Sequence, residues 1–496
     1  MVIYRRIIKK HVFERKDGKK TTLKSISSGE LLDLKKIEVN DFIEKYGELT
    51  LGQFLKRHKF VGNPVFLSDY LEIHHSQKIK QLLKTSPDFL KLFRWNIMDI
   101  EKYRKDFPVL KKTIYLDNGA TSLKPKAVIE AMNYYYTECP VNIHRGVYKL
   151  SQEASVVYEE THLALSKFFN CSSKEVILTN NSTDSLNTIM YMLYNSNYFK
   201  KGDEILTTVY EHHANLVPWQ FLSLKLGVKL KFVEINKDYT FDFEDFKKKI
   251  TPRTKLVTFA HVSNTIATIA PIKEIVNYLK SRNILVCVDG SQSAPHIPIN
   301  FKKMNVDFFV CTMHKMLGPT GVGVLIAKEK HLNNFSPVKF GGDMISHVSL
   351  EKSTWNGLPH KFEAGTPNIS GAFGTLAAIE YLNKVGMENI LHQDKKLLDY
   401  SLDKLNIEGL KIYNPKDSKK QGPIILFDMK GIKSRELSSF LDEFGNIATR
   451  AGMHCAEPIV SRLNKDGLVR ASMYFYNTKD EIDILAKTLK NIRKMV

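Results

Sequence analysis

The stretch Phe308-Phe309-Val310-Cys311-Thr312-Met313-His314-Lys315, followed by Gly318-Pro319-Thr320-Gly321-Val322-Gly323, governs how the rest of the chain is read. Four apolar residues in a row, bounded by polar ones, predict a strand buried on both faces, because successive side chains of a strand point to opposite sides. Six further runs of this kind occupy the middle of the chain: Glu175 to Thr179, Glu204 to Thr207, Leu230 to Val233, Leu256 to Phe259, Leu285 to Val288 and Val322 to Ile326. Helical stretches separate them, so the pattern predicts an α/β fold around a mostly parallel sheet. In such folds ligands gather where the strands end. A lysine at the end of a buried strand, beside Thr312 and His314, is a candidate for Schiff-base chemistry, since burial disfavours the charged ammonium. The glycines after it match the spacing of neither a dinucleotide fingerprint nor a P-loop.

The other strand ends supply complementary groups. Asn180-Asn181-Ser182-Thr183-Asp184-Ser185 opens a helix, and hydroxyls with free N–H groups there suit a phosphate, although an ordinary helix cap would look the same. In Glu211-His212-His213-Ala214-Asn215 the paired histidines suit a metal. Neighbours on one strand face opposite ways, however, so one ring stacking on an aromatic cofactor fits at least as well. Two more strands end in His261-Val262-Ser263-Asn264 and Asp289-Gly290-Ser291-Gln292. The Asp289 carboxylate can pair with a protonated ring nitrogen or merely cap a loop. A phosphate cradle, a stacking histidine, a ring-nitrogen carboxylate and a Schiff-base lysine in one domain are what pyridoxal phosphate requires.

Around this core, residues 1–98 read as a basic N-terminal α+β extension, with 20 Lys/Arg against 11 Asp/Glu in a chain of 496 residues and net charge +20. Lys16-Asp17-Gly18-Lys19 predicts a hairpin turn between Val2 to Glu14 and Thr21 to Ser28, and Leu31 to Tyr46 and Ser76 to Leu83 carry helical spacing. Residues 99–375 form the expected large domain and 376–496 a small C-terminal α/β domain, with strands at Pro423 to Phe427 and Val469 to Met473. Thr478 and Glu481 form a capping box that opens a last helix. Lysines are spread along the chain, so a solvated basic surface or acidic protein partners are expected, not nucleic acid. No apolar run approaches the roughly 20 residues that span a bilayer. The start lacks an apolar signal region and carries Glu14 and Asp17, so a cytoplasmic protein is expected. Cys139, Cys171, Cys287, Cys311 and Cys455 are scattered without a C-x-x-C pair, and neither disulfides nor a metal site is expected.

From about Asp99 onward the chain resembles the class V aminotransferase-like cysteine desulfurases, in their group II, Suf-type branch that includes selenocysteine lyases. The matching motifs are Tyr115-Leu116-Asp117-Asn118, Asn142-Ile143-His144-Arg145-Gly146, Glu211 to Asn215, His261 to Asn264, Val288-Asp289-Gly290, His314-Lys315, Phe362-Glu363-Ala364-Gly365-Thr366-Pro367-Asn368 and Arg450-Ala451-Gly452-Met453-His454-Cys455-Ala456. The resemblance implies the type I fold of pyridoxal-phosphate enzymes, with the first ~30 residues of the large domain joining the small one. It implies L-cysteine as substrate, a homodimer, and a sulfur-acceptor protein of an iron–sulfur assembly system. Selenocysteine lyase is the alternative activity. By the same resemblance Lys315 bonds to the cofactor, Asp289 pairs with its ring nitrogen, His212 stacks on the ring and Gln292 contacts the ring hydroxyl. Ser182, Thr183, Thr312 and His314 hold the phosphate, joined by Thr366 from a second subunit. Arg470 and Asn264 bind the substrate carboxylate, His144, Arg145 and Arg450 line the substrate site, and Cys455 carries sulfur as a persulfide. A thiolate requires electropositive surroundings, for which Arg450 and His454 are the local candidates. Four positions depart from the family pattern: Met453 for a histidine, Asp184-Ser185 for Glu-Gly, and Ala267 for glycine.

Overall fold

The computed structural model describes Val12–Glu14, Lys20–Thr22 and residues 98–495, within two compact units, Met1–Met98 and Asp99–Val496. In the first unit β1 (Val12–Glu14) and β2 (Lys20–Thr22) pair antiparallel, Val12 opposite Thr22, as the Asp17-Gly18 turn predicts. The two helical stretches expected in that unit lie outside the described residues.

In the second unit a short strand, β3 (Ile114–Tyr115), precedes the central sheet. The seven sheet strands are β4 (Val176–Thr179), β5 (Glu204–Thr208), β6 (Lys229–Val233), β7 (Thr254–Ala260), β8 (Leu285–Asp289), β9 (Phe308–Thr312) and β10 (Gly323–Ala327). Each coincides with one of the apolar runs to within two residues. Their order is β4-β10-β9-β8-β7-β5-β6, with β10 antiparallel to both neighbours and the remaining pairs parallel. Phe308, Phe309, Val310 and Cys311 are all fully buried, so both faces of β9 are covered. Parallel strands advancing together leave their C-terminal ends on one edge, and β5, β7, β8 and β9 deliver His212, Asn264, Asp289 and Lys315 there.

A hairpin follows, β11 (Ile345–Val348) with β12 (Ser353–Trp355). The small domain contains β13 (Leu410–Ile412), β14 (Ile424–Met429), β15 (Ile447–Ala448), β16 (Arg450–Gly452) and β17 (Leu468–Ser472). Four of these form an antiparallel sheet in the order β13-β14-β17-β16, while β15 runs parallel to β3, with Ile447 opposite Ile114. Leu116 is buried in the same cluster as Leu397, Phe427 and Val469, so the segment after β3 packs into the C-terminal domain. A boundary at residue 375 would cut the helix Ile369–Val385. The helix continues because its core face, including Ala372, Phe373, Ala378, Ile379 and Leu382, stays buried across that point. It ends at Gly386, whose φ of 86° ordinary residues avoid, and Met387–Lys404 begins the small domain. The last helix, Lys479–Met495, opens on the expected capping box: the Thr478 N–H donates to Glu481 Oε2 at 3.1 Å and the Glu481 N–H to Thr478 Oγ1 at 3.3 Å.

Candidate active site

Lys315 closes the short 3-10 turn Met313–Lys315 directly after β9 and is partly buried. Burial pushes its amine down to about 8, helped by the charges of Arg470 and Arg450 and opposed by Asp289 and Cys455. Asp289 ends β8 and is 5% exposed, its Oδ1 accepting the Ser291 N–H at 2.9 Å and the Ser291 hydroxyl at 2.6 Å. The Ser291 oxygen lies 2.7 Å from Ser182 Oγ. With the Ser291 proton committed to Asp289, Ser182 is the donor in that pair, and one chain of bonds links the carboxylate to the start of helix Ser182–Asn195. Asn181 caps this helix by accepting the Asp184 N–H at 2.9 Å. The N–H groups of Ser182 and Thr183 have no partner among the described residues, so they remain free for an anion at the positive end of the helix dipole. A Cβ on Gly323 would come within 2.4 Å of the Asn181 backbone, so only glycine lets β10 end against this cap. Asp184, one of the departures from the family pattern, pairs with Lys339 at 2.7 Å.

His212 and His213 lie beyond β5, not on the strand, His212 capping the 3-10 turn His213–Asn215, and they serve different partners. His212 Nδ1 accepts the Ala214 N–H at 3.1 Å, which places its proton on Nε2. Burial, then the Lys315 charge, pulls its pKa to about 4, so the ring is neutral at physiological pH. His213 turns to the cysteine loop, its Nε2 accepting the Glu457 N–H at 3.2 Å. Behind them Glu211, pushed up to about 8 by burial, accepts from Thr208, Asn215 and the Ala260 N–H. That buried network fixes the turn. Gln292 donates to the Gly119 carbonyl at 2.7 Å, and the Thr312 hydroxyl is buried beside Val322 O. Burial, then Lys315 and Lys124, lowers His314 to about 4, so it can serve an anion only as a neutral donor.

The small domain supplies the opposite wall. Arg450 and Arg470 are directly opposite on β16 and β17, a pairing of like charges that would repel but for Asp117 between them. Asp117 accepts from Arg450 Nε at 3.2 Å and from both Arg450 NH2 (3.0 Å) and Arg470 NH2 (3.3 Å). Arg470 is 3% exposed and also donates through NH1 to the Asn264 carbonyl at 2.9 Å. Cys455 is exposed on the loop after β16. His454 and Cys455 both have φ of 53°, a left-handed conformation that costs about 1–2 kcal/mol per ordinary residue. The loop is held there from two sides: the Cys455 carbonyl accepts the His213 N–H at 2.8 Å, and the His454 carbonyl accepts from Asn264 Nδ2 at 2.8 Å. His454 is not a positive neighbour of the thiol. Its Nε2 donates to Leu468 O at 2.9 Å, and burial, then Arg470, drives its pKa to about 3. The cationic groups on this wall are Arg450 and Arg470, directly opposite one another on β16 and β17.

The chain does not bring every expected residue here. His144 and Arg145 line a separate cavity of about 270 Å³ with Asp343, Ile345, Asn356 and His360. Thr366 is exposed and its hydroxyl accepts from Asn142 Nδ2 at 3.4 Å. Sequence reasoning gave no role to Asp117, Ser291 or Lys124. Asp117 and Ser291 sit inside quoted motifs, whereas Lys124, whose amine donates to the His314 carbonyl at 2.8 Å and is lowered by burial to about 8, had no signal at all.

The donor set fits pyridoxal phosphate. Among the described residues Asn264 Oδ1, Arg470 Nε and His454 Nδ1 are buried polar atoms without a hydrogen-bond partner, and they cluster on the wall facing Lys315. Arg470 Nε is the donor among them and suits a substrate carboxylate, Asn264 Oδ1 and the neutral His454 Nδ1 are acceptors, and the free helix N–H groups suit a phosphate.

The family described as Aminotransferase class-V matches residues 114–485. A protein of Halalkalibacterium halodurans named as a probable cysteine desulfurase is 41% identical over 405 residues, covering 80% of this chain and 98% of its own. The apo structure of a cysteine desulfurase from Thermococcus onnurineus superposes with a TM-score of 0.77 at 38% identity, covering 80% of this chain and 98% of that one. The cysteine desulfurase CsdA of Escherichia coli gives 0.75 at 31%, covering 81% of this chain and all of its own.

Proposed function

The chain belongs to the class V aminotransferase family and is a pyridoxal-phosphate-dependent cysteine desulfurase, and from that premise we propose that sulfur taken from L-cysteine is carried on Cys455. The observation that supports this most is the way the cysteine loop is tied down. Its two carbonyls are held by His213, next to the stacking candidate, and by Asn264, next to Arg470. The thiol is thus fixed over the site that contains Lys315.

Bound pyridoxal phosphate supplies an electron sink that makes the substrate's Cα proton acidic and its sulfur electrophilic. Ser182 and Thr183 N–H groups, with Thr312 and neutral His314, would hold the phosphate, Asp289 would pair with the ring nitrogen, Gln292 with the ring hydroxyl, and neutral His212 would pack on the ring. Arg470 and Asn264 orient the substrate carboxylate, with Arg450 at the entrance. Lys315 Nζ, whose lowered pKa gives it a neutral fraction at physiological pH, moves the Cα proton. Cys455 Sγ, as thiolate, attacks the substrate sulfur. An S–S bond forms, the substrate C–S bond breaks with its electron pair kept on carbon, and protonation of that carbon together with return of the Cα proton by Lys315 gives L-alanine. The net change is L-cysteine plus thiol to L-alanine plus persulfide.

The finer reading is a group II, Suf-type enzyme, cytoplasmic and homodimeric, that passes its sulfur to an acceptor protein of iron–sulfur assembly. Among the described residues no helix is long and apolar enough to cross a membrane. The exposure of Thr366, and the grouping of His144 and Arg145 away from Lys315, favour sites completed by a second copy. Selenocysteine lyase is not favoured, since the relatives are named for cysteine. Purified protein should show imine absorption and convert L-cysteine to L-alanine. Lys315→Ala should lose both, and normal absorption in that variant would reject the assignment.

A further inference from the structure

Another cavity, of about 230 Å³, lies between the large and small domains. On the large-domain side its walls are Val262 and Ile269, from the loop after β7, and Ile297, from the turn after β8. On the small-domain side they are Leu391 and Leu398 of the helix Met387–Lys404, with Pro423 just before β14. Lys315, Asp289, Arg470 and Cys455 do not line it, and Gln292 is the one lining residue that the cofactor reading also uses.

Two buried acceptors belong to this otherwise aliphatic wall. Asp394 is 2% exposed, its Oδ2 lies 2.7 Å from His296 Nδ1, and its Oδ1 has no partner among the described residues. Burial pushes the Asp394 carboxyl up to about 6, against the pull of His296, so it is ionised at neutral pH. Gln421 is also buried. Its Nε2 donates to the Pro415 carbonyl at 2.5 Å, which leaves Oε1 as the second acceptor without a partner. Buried acceptors without donors are destabilising, so two on one cavity call for a positively charged N–H donor. The segment that carries Gln421 is fixed to the large domain. The Gly422 N–H donates to the Ala267 carbonyl at 2.8 Å, the Ile269 N–H to the Lys420 carbonyl at 2.9 Å, and Asn414 Nδ2 to the Ile266 carbonyl at 2.9 Å. Two exposed lysines, Lys395 and Lys419, complete the lining where the cavity meets solvent.

We propose that this cavity binds a free aliphatic α-amino acid of the leucine class. Its ammonium donates to Asp394 Oδ1 and Gln421 Oε1, its branched side chain packs on Ile269, Ile297, Leu391 and Leu398, and its carboxylate faces Lys395 and Lys419. The volume is below the roughly 300–1,000 Å³ of pockets for drug-sized ligands, so the occupant is small. A purely apolar molecule would leave both acceptors unpaired, and a bare cation would meet mostly aliphatic walls. L-cysteine and L-alanine carry the same head group without the branched body, so they fill the cavity poorly. A ligand that touches both domains favours their packed arrangement by mass action.

The test is calorimetric titration of the holoenzyme with L-leucine, with imine absorption recorded alongside because any amino acid can also react at the cofactor. Saturable binding of one molecule per chain is expected, with a melting temperature that rises with L-leucine concentration. The analogue 4-methylpentanoate, which lacks the ammonium, should bind at least about tenfold more weakly, as loss of a charge-assisted hydrogen bond implies. Leu391→Trp should fill the cavity and abolish binding while keeping imine absorption and L-cysteine turnover. A wild-type crystal soaked in L-leucine locates the ligand without any substitution, should that variant misfold. Density between Asp394 and Gln421 supports the site. No saturable heat, equal binding of 4-methylpentanoate, binding retained by folded Leu391→Trp, or density only at Lys315 overturns it.

Discussion

Replacing Arg470 by lysine keeps a positive charge in the site while removing a planar, five-donor fork. Arg470 is 3% exposed, with NH1 on the Asn264 carbonyl and NH2 on Asp117, and its Nε is a buried donor without a partner. If the guanidinium holds the substrate carboxylate through two charge-assisted hydrogen bonds, each is worth about 1.5–3 kcal/mol. Lysine can keep one of them, so Arg470→Lys should lower kcat/KM by about 1.5–3 kcal/mol, or roughly 10- to 150-fold. Arg470→Ala should lose both, roughly 10²- to 10⁴-fold. Because the carboxylate is bound alike before and during reaction, most of the lysine effect should fall on KM. The assay is alanine formation against L-cysteine concentration, with imine absorption and melting temperature recorded for each variant. A lysine variant with unchanged cofactor absorption and near wild-type kcat/KM would refute carboxylate recognition by Arg470.

The lowered Lys315 pKa implies that the amine becomes a better nucleophile as pH rises. Uptake of pyridoxal phosphate by the apoenzyme should accelerate through pH 8, and a flat profile from pH 6 to 9 would contradict a buried, titrating lysine. Arg450→Ala should slow persulfide formation on Cys455 more than His454→Asn does, since His454 is already neutral; the opposite order would reverse the assignment of the electropositive neighbour. Removal of residues 1–98 should leave imine absorption and basal turnover unchanged, because the site contacts described lie within 99–495. Sulfur transfer to an acidic acceptor should be slower than in the full chain at low salt, the difference should shrink as ionic strength rises, and transfer unaffected at low salt would exclude docking by that region.

The sheet was legible because its strands are buried on both faces and therefore read as unbroken apolar runs; Phe308 to Cys311 is the plainest case. The Thr478–Glu481 capping box was legible because its chemistry is local. Strand ends then pointed to Lys315, Asp289 and His212. The sequence concealed what depends on distant contacts or on burial. Asp117 bridges two arginines more than 330 positions away, and nothing local marks it as their counter-ion. His454 looked cationic beside Cys455, but its ring is buried on the Leu468 carbonyl. The end at Gly386 of the helix that runs through residue 375 did have a signal: a glycine able to take positive φ, ahead of a new amphipathic run. The positions of His144 and Arg145 away from Lys315 had none, since the motif around each is the same whether it serves its own chain or another, whereas for Thr366 the resemblance already implied a second subunit.

The central claim is that sulfur leaves L-cysteine and stays on Cys455. Holoenzyme should be mixed with L-cysteine without acceptor or reductant, quenched, digested and mapped by mass spectrometry alongside measurement of alanine. One alanine should form per chain in the first turnover, and a peptide spanning Cys455 should be heavier by one sulfur atom, with the peptides of Cys139, Cys171, Cys287 and Cys311 unmodified. Alanine formed with no added sulfur on Cys455, or with sulfur on another cysteine, would contradict it.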